Sequence, residues 1–142
     1  MSLADTLIRL FAEGHPAEAA RLLGIETPAV QKDRIGSALA LAEAFGSIVV
    51  LKGAGSICAS SDGTWHVNTS GNPGMASAGM GDVLTGMIAA LLSQGVGPKS
   101  ALLAGVYLHG AAADRAVSGG IGPAGLTATD TIHAARALLN QR

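Results

Sequence analysis

The sequence predicts an α/β fold in which helices flank a mixed β-sheet, and three observations carry that reading. Ile48-Val49-Val50-Leu51 is a short β-branched run suited to a strand buried on both faces, as in a parallel sheet. Segments 56–60 and 64–68 flank Ser61-Asp62-Gly63, whose Asp-Gly pair signals a hairpin of antiparallel strands. Around both lie apolar stretches with helical start and stop residues.

Ser2 with Asp5 gives a capping-box-like start for a helix through Phe11, which Gly14-His15-Pro16 breaks. Pro16 sets up a second helix over 17–23, ending at Gly24. Thr27-Pro28 supplies an N-cap and a first-turn proline for a longer helix over 29–45, with Ile35, Leu39, Ala42 and Phe45 as its apolar stripe. Lys52-Gly53-Ala54-Gly55 ends the first strand. The loop 71–81, rich in glycine, runs directly into a strongly apolar helix over 82–92. A long helix follows over 98–118, then a flexible loop over 119–125 and a last helix from Thr129 or Asp130 to Leu139. No repeat or boundary interrupts the chain, which reads as a single domain over 1–142.

Composition narrows the function. With 142 residues, 49% hydrophobic and 13% charged, the chain can bury a core. A net charge of −1 argues against a nucleic-acid partner or an anionic membrane surface, since both need clustered Lys and Arg. Twenty glycines and 3% aromatic residues favour small ligands approached by backbone. The single Cys58 excludes an internal disulfide, and the start lacks the features of a secretory signal, so a cytoplasmic location is expected. Mean hydropathy is +0.41. Even so, polar residues interrupt the apolar stretches before about 18 positions, too soon for a membrane span.

The junction of loop and helix carries the chemistry. A glycine-rich loop that feeds a helix N-terminus presents unpaired amide N–H groups and the positive end of the helix dipole, which suits a phosphate. The run Asn72-Pro73-Gly74-Met75-Ala76-Ser77-Ala78-Gly79-Met80-Gly81-Asp82 is neither a P-loop nor a dinucleotide-binding turn. A carboxylate beside a phosphate is repelled unless it deprotonates an attacking hydroxyl, so Asp82 points to phosphoryl transfer with the Gly79–Gly81 amides stabilising the transferred group. An aspartate that merely caps a buried helix satisfies the same spacing.

These residues, preceded by Val49-Val50-Leu51-Lys52-Gly53-Ala54-Gly55-Ser56, resemble the C-terminal half of the ADP/ATP-dependent NAD(P)H-hydrate dehydratases, in the ribokinase-like superfamily with its Gly-x-Gly-Asp motif. The similarity runs from about His15 to the C-terminus. It implies the C-terminal portion of a three-layer nucleotide-binding domain whose N-terminal half is absent. It also implies repair of hydrated NADH or NADPH (NADHX, NADPHX). A nucleotide phosphorylates the hydroxyl of the damaged ring, and phosphate elimination restores the reduced cofactor. Bacterial members typically use ADP and release AMP, so ADP or ATP is the expected co-substrate; phosphoryl transfer itself calls for Mg²⁺ to neutralise the nucleotide oxygens, although the sequence shows no dedicated ligand cluster. By this resemblance Lys52, Gly53, Ala54, Gly55 and Ser56 match a nucleotide-binding Lys-Gly-Ala-Gly-Thr segment. Asn72, Pro73, Gly74, Met75, Ala76, Ser77, Ala78, Gly79, Met80 and Gly81 match the loop around the nucleotide phosphates, and Asp82 matches the substrate-contacting catalytic Asp. His15-Pro16-Ala17-Glu18 resembles a His-x-Gly-Glu segment whose His touches the hydrated ring, with Ala17 in place of Gly. Met80 stands where the family commonly has Ser or Thr, which removes a hydroxyl near the phosphate.

The other candidates read as structural. His109 and Asp114 lie too far round one helix to share a metal ion, and His109 is expected to pack or bond locally. His66, His133 and Trp65 belong to no constellation, and Cys58 reads as buried filler. The family's missing first half supplies most of the sheet and much of the acceptor pocket. The chain alone is therefore expected to be a weak or inactive catalyst, and to self-associate or bind a complementary N-terminal half. Two readings compete with the dehydratase: a vitamin-precursor kinase of the same superfamily, and a non-catalytic remnant that binds nucleotide or oligomerises.

Overall fold

The computed structural model describes residues 15–141. The proposed helix over Ser2–Phe11 lies outside them. Helix α1 spans Pro16–Leu23, α2 Thr27–Lys32 and α3 Arg34–Ala44. Strands β1 (Ile48–Leu51), β2 (Ile57–Ser60) and β3 (Trp65–Val67) follow, then a 3₁₀ turn at Pro73–Met75. Helices α4 (Met80–Ser93), α5 (Pro98–Ser118) and α6 (Ala128–Leu139) complete the chain.

The strands form one sheet in the order β1-β2-β3, and both pairings are antiparallel. The α/β class holds, but the mixed sheet gives way, among the described residues, to a purely antiparallel one. The reason is physical: an unbroken apolar run reports burial on both faces and says nothing of strand direction. Val49, Leu51, Ile57 and Ala59 face α1–α3, against Ala19, Ala20, Val30, Ala38, Leu41 and Ala42. Val50 and Cys58 face α4 and α5, against Leu84, Ile88, Leu102 and Val106. Alternation along each strand therefore serves two apolar layers, giving the order helices, sheet, helices. A third, alanine-rich cluster joins α4, α5 and α6 beyond the sheet through Met80, Ala112, Ala113, Ala116, Leu126, Ala134 and Ala135.

The single helix expected over 29–45 is two. Asp33 breaks it (φ −138°, ψ 77°) and restarts it as an N-cap, its carboxylate accepting from the Gly36 amide. Thr27 lies within α2, which Glu26 precedes, so it is not the cap. The buried stripe also shifts to Ser37, Ala38, Leu41 and Ala42, leaving Phe45 45% exposed. The hairpin forms as its sequence signals, with Asp62 Oδ1 accepting from both the amide and the hydroxyl of Thr64. Helix α6 starts one residue earlier than expected. There Thr127 and Asp130 make a reciprocal capping box. Cys58 is buried, which pushes its thiol up to about 11. Among the described residues no helix is long and apolar enough to cross a membrane.

Candidate nucleotide and substrate site

Helix α4 begins where the glycine-rich loop ends, and its N-cap is Gly79 at φ +82°, a left-handed conformation that side chains resist. A Cβ there would also stand 3.2 Å from the Ala128 Cβ. Asp82 lies in the first turn and caps nothing, since α4 has no side-chain cap. The capping alternative for Asp82 is thereby removed. The Gly81 and Asp82 amides lie in the first turn, where no intrahelical acceptor exists.

A cavity of about 460 Å³ opens in front of this turn, lined by His15, Glu18, Arg21, Leu22, Lys52, Gly79, Gly81 and Asp82. Three separate segments converge: the start of α1, the end of β1 and the start of α4. His15, Lys52 and Asp82, which lie far apart in sequence, thus face one space. Glu18, Arg21 and Leu22 join them because helical spacing of three to four residues returns each to the side that His15 presents. The wall carries both signs of charge, with Lys52 and Arg21 set against Glu18 and Asp82.

Other expected site residues lie outside that wall. Gly53, Ala54, Gly55 and Ser56 form the turn after β1, which Arg34 at the start of α3 holds. Its guanidinium donates to the Ala54 carbonyl at 2.7 Å and to the Leu51 carbonyl at 3.3 Å. The Ser56 hydroxyl donates to the Gly53 carbonyl at 3.3 Å. Asn72, Pro73, Gly74, Met75, Ala76, Ser77 and Ala78 form the approach to α4. The Met80 side chain packs: the residue is 4% exposed and belongs to the α4–α6 cluster, its sulfur accepting from the Thr131 hydroxyl at 3.5 Å. Met in place of Ser or Thr there fills the core.

His109 packs, as expected. It is 6% exposed on α5, and its Nε2 has no hydrogen-bond partner. Burial first, and the Lys52 charge second, bring its pKa down to about 4, with the Met80 backbone opposing the shift. In the unfolded chain the group titrates near its ordinary 6.5. Below that value the unfolded state takes up a proton that the folded state refuses, so stability is full above pH 6.5 and falls as pH drops towards about 4. His109→Asn should flatten the melting temperature of the folded chain across that interval, relative to the parent. Equal slopes for both proteins would contradict the assignment.

Sequence reading missed Arg34, Arg21 and Asp114. The partners of Arg34 and Asp114 lie up to 43 residues away, and Arg21 meets the cavity only through the fold, so spacing carries no trace of them. One signal was available: Asp114 ends the run Gly110-Ala111-Ala112-Ala113, small residues that let another backbone approach a helix face. Among the described residues, no group of three or more His, Cys, Asp or Glu gathers as a cation site.

Comparison with known proteins agrees with this architecture. The NAD(P)H-hydrate dehydratase family profile matches residues 14–135. The chain is 47% identical over 140 residues to the ADP-dependent (S)-NAD(P)H-hydrate dehydratase of Neisseria meningitidis serogroup B, covering 99% of this chain and 47% of that protein. It is 45% identical over 126 residues to the bifunctional NAD(P)H-hydrate repair enzyme of Coxiella burnetii, covering 89% of this chain and 26% of that one. The crystal structure of the ADP/ATP-dependent NAD(P)H-hydrate dehydratase from Bacillus subtilis, co-crystallised with ATP/Mg²⁺ and soaked with CoA, superposes with a TM-score of 0.84 at 34% identity, over 89% of this chain and 46% of that one. The chain thus spans about half the length of the dedicated dehydratases it matches. With a profile match over residues 14–135 and a superposition at a TM-score of 0.84, the chain belongs to the NAD(P)H-hydrate dehydratase family.

Proposed function

We propose that this chain supplies the nucleotide-binding part, the C-terminal portion of the domain, of an ADP-dependent dehydration that repairs hydrated NADH and NADPH in the cytoplasm. The observation that carries the reading is the convergence of Lys52, the Gly79 and Gly81 backbone, Asp82 and His15 on one cavity. ADP enters with its phosphates over the first turn of α4, where amide N–H groups and the helix dipole favour negative charge. Lys52 and the turn Gly53–Ser56 hold the nucleotide, and Asn72–Gly81 surround its phosphates. Mg²⁺ carried by the nucleotide would neutralise its phosphate charge, since no side-chain cluster among the described residues would hold the ion.

Asp82 accepts the proton of the ring hydroxyl, whose oxygen attacks the terminal phosphorus as the bond to the bridging oxygen breaks and AMP departs. Elimination of phosphate with a ring proton then restores the reduced nicotinamide. His15 contacts the ring from across the cavity. Proximity and orientation in such reactions are worth roughly 7–11 kcal/mol, so a chain that spans half of its relatives turns over weakly until a complementary half, or a second copy, completes the acceptor wall.

The test is calorimetric titration of the purified chain with ADP, ATP and AMP in Mg²⁺, beside a Gly79→Val variant. Binding by the parent that Gly79→Val abolishes is expected, because valine strains the left-handed N-cap and crowds Ala128. No binding at millimolar nucleotide would reject the reading for this chain.

A further inference from the structure

Asp114 sits on α5, outside the cavity wall, and its half-buried carboxylate meets two donors of the glycine-rich segment. Oδ2 accepts from the Gly71 amide at 2.8 Å and Oδ1 from Asn72 Nδ2 at 2.9 Å. The Asn72 amide is thereby oriented, and its Oδ1 accepts from the Gly74 amide at 3.0 Å. Two further contacts lie on the same face of α5, at the helical spacing of 107, 110 and 114. The Ser70 hydroxyl donates to the Tyr107 carbonyl at 3.0 Å, and Gly110 presses against the Ser70 backbone. The segment 70–74 thus runs along a helix that holds it by side chain and by backbone.

Every donor facing Asp114 is an N–H, so the position requires two acceptors. An amide there would turn its NH₂ against either Gly71 or Asn72. A charged acceptor strengthens both bonds. The same charge would disfavour a nearby phosphate, so electrostatics alone gives no reason for a carboxylate here. We propose that Asp114 is a positioning residue for the nucleotide: through Asn72 and Gly71 it fixes the phosphate-facing loop, and it contributes to nucleotide affinity without touching the ligand. This rests on the nucleotide reading above.

Asp114→Asn separates the possibilities by sign. It removes a negative charge, which by itself would tighten ADP binding, and breaks the bond to Asn72, which would loosen the loop. The expected result, by titration with ADP in Mg²⁺ well below every melting temperature, is a Kd raised about tenfold, the worth of one charge-assisted hydrogen bond. Faster hydrogen exchange at the Gly71 and Gly74 amides should accompany it. Lys99→Ala, which breaks the exposed Lys99–Asp62 ion pair, should change neither reading. An unchanged or lowered Kd in Asp114→Asn would overturn the proposal, whatever the melting temperature does.

If the parent binds no nucleotide, the functional reading fails separately, and exchange alone judges the clamp: faster exchange in Asp114→Asn sustains it, and equal exchange overturns it. If Asp114→Asn does not fold, the reciprocal pair Asn72→Asp with Asp114→Asn decides, since it reverses the polarity of the 72–114 bond while keeping all three hydrogen bonds. A folded pair sustains the network, and an unfolded pair overturns it.

Discussion

Asp82→Asn should lower phosphoryl transfer to the hydrated nicotinamide by about 10²–10⁴-fold, the usual contribution of a general base, while ADP affinity stays the same or tightens. The two effects separate because Asp82 caps nothing and sits in the first turn of α4, among the amides proposed to receive the phosphates. Under the proposed mechanism, removing its charge would relieve repulsion of the nucleotide but leave the ring hydroxyl with no proton acceptor. The measurement is recovery of reduced-nicotinamide absorbance from the hydrate, with a complementary N-terminal half supplied in trans and the parent assayed alongside. A variant that turns over as fast as the parent would remove Asp82 from the chemistry. A variant that fails to bind ADP would recast it as a structural residue of the loop.

Gly110→Ala should destabilise the chain by about 1–3 kcal/mol, although helix propensity taken alone predicts a gain of about 1 kcal/mol for the same change. The added methyl would stand 2.6 Å from the carbonyl carbon and oxygen of Ser70, besides meeting its hydroxyl. Backbone, unlike a flexible side chain, cannot swing aside, so α5 and the 70–74 segment must separate. That separation would also stretch the Asp114 bonds to Gly71 and Asn72, so ADP affinity should fall along with stability. Urea denaturation read by circular dichroism checks the first effect and titration the second. A raised unfolding midpoint would mean that local propensity outweighs the contact.

The comparison of sequence with structure divides along the range of the interactions. Features decided within a few residues were legible: the Asp62-Gly63 hairpin, the start of α5 at Pro98, the glycine-rich entry to α4. The break at Asp33 was missed because the polar run Gln31-Lys32-Asp33-Arg34 reads equally as the exposed side of one helix or as the end of one and the cap of the next. Strand direction was misread because Ile48–Leu51 shows only that two layers cover it. At the site, Asp82 could be singled out because a carboxylate beside an anion site is a local contradiction, visible in the sequence itself. The cavity's assembly from α1, β1 and α4 could be anticipated only through family resemblance. Arg34 and Asp114 act through partners 17 to 43 residues distant, and nothing in their own neighbourhoods announces that reach.

The attachment of the glycine-rich loop to α5 also has a thermodynamic side. Ordering a free residue costs about 1–2 kcal/mol of backbone conformational entropy, and glycine, with the most freedom to lose, lies at the costly end. A loop of this composition left slack would charge that cost to each arriving ligand. Here Ser70, Gly71 and Asn72 are tied to α5 at one end, and Met80 is buried in a cluster with Ala112, Ala113 and Ala116 of the same helix at the other. The ordering is therefore completed when the chain folds, so nucleotide association should carry only a small unfavourable conformational entropy.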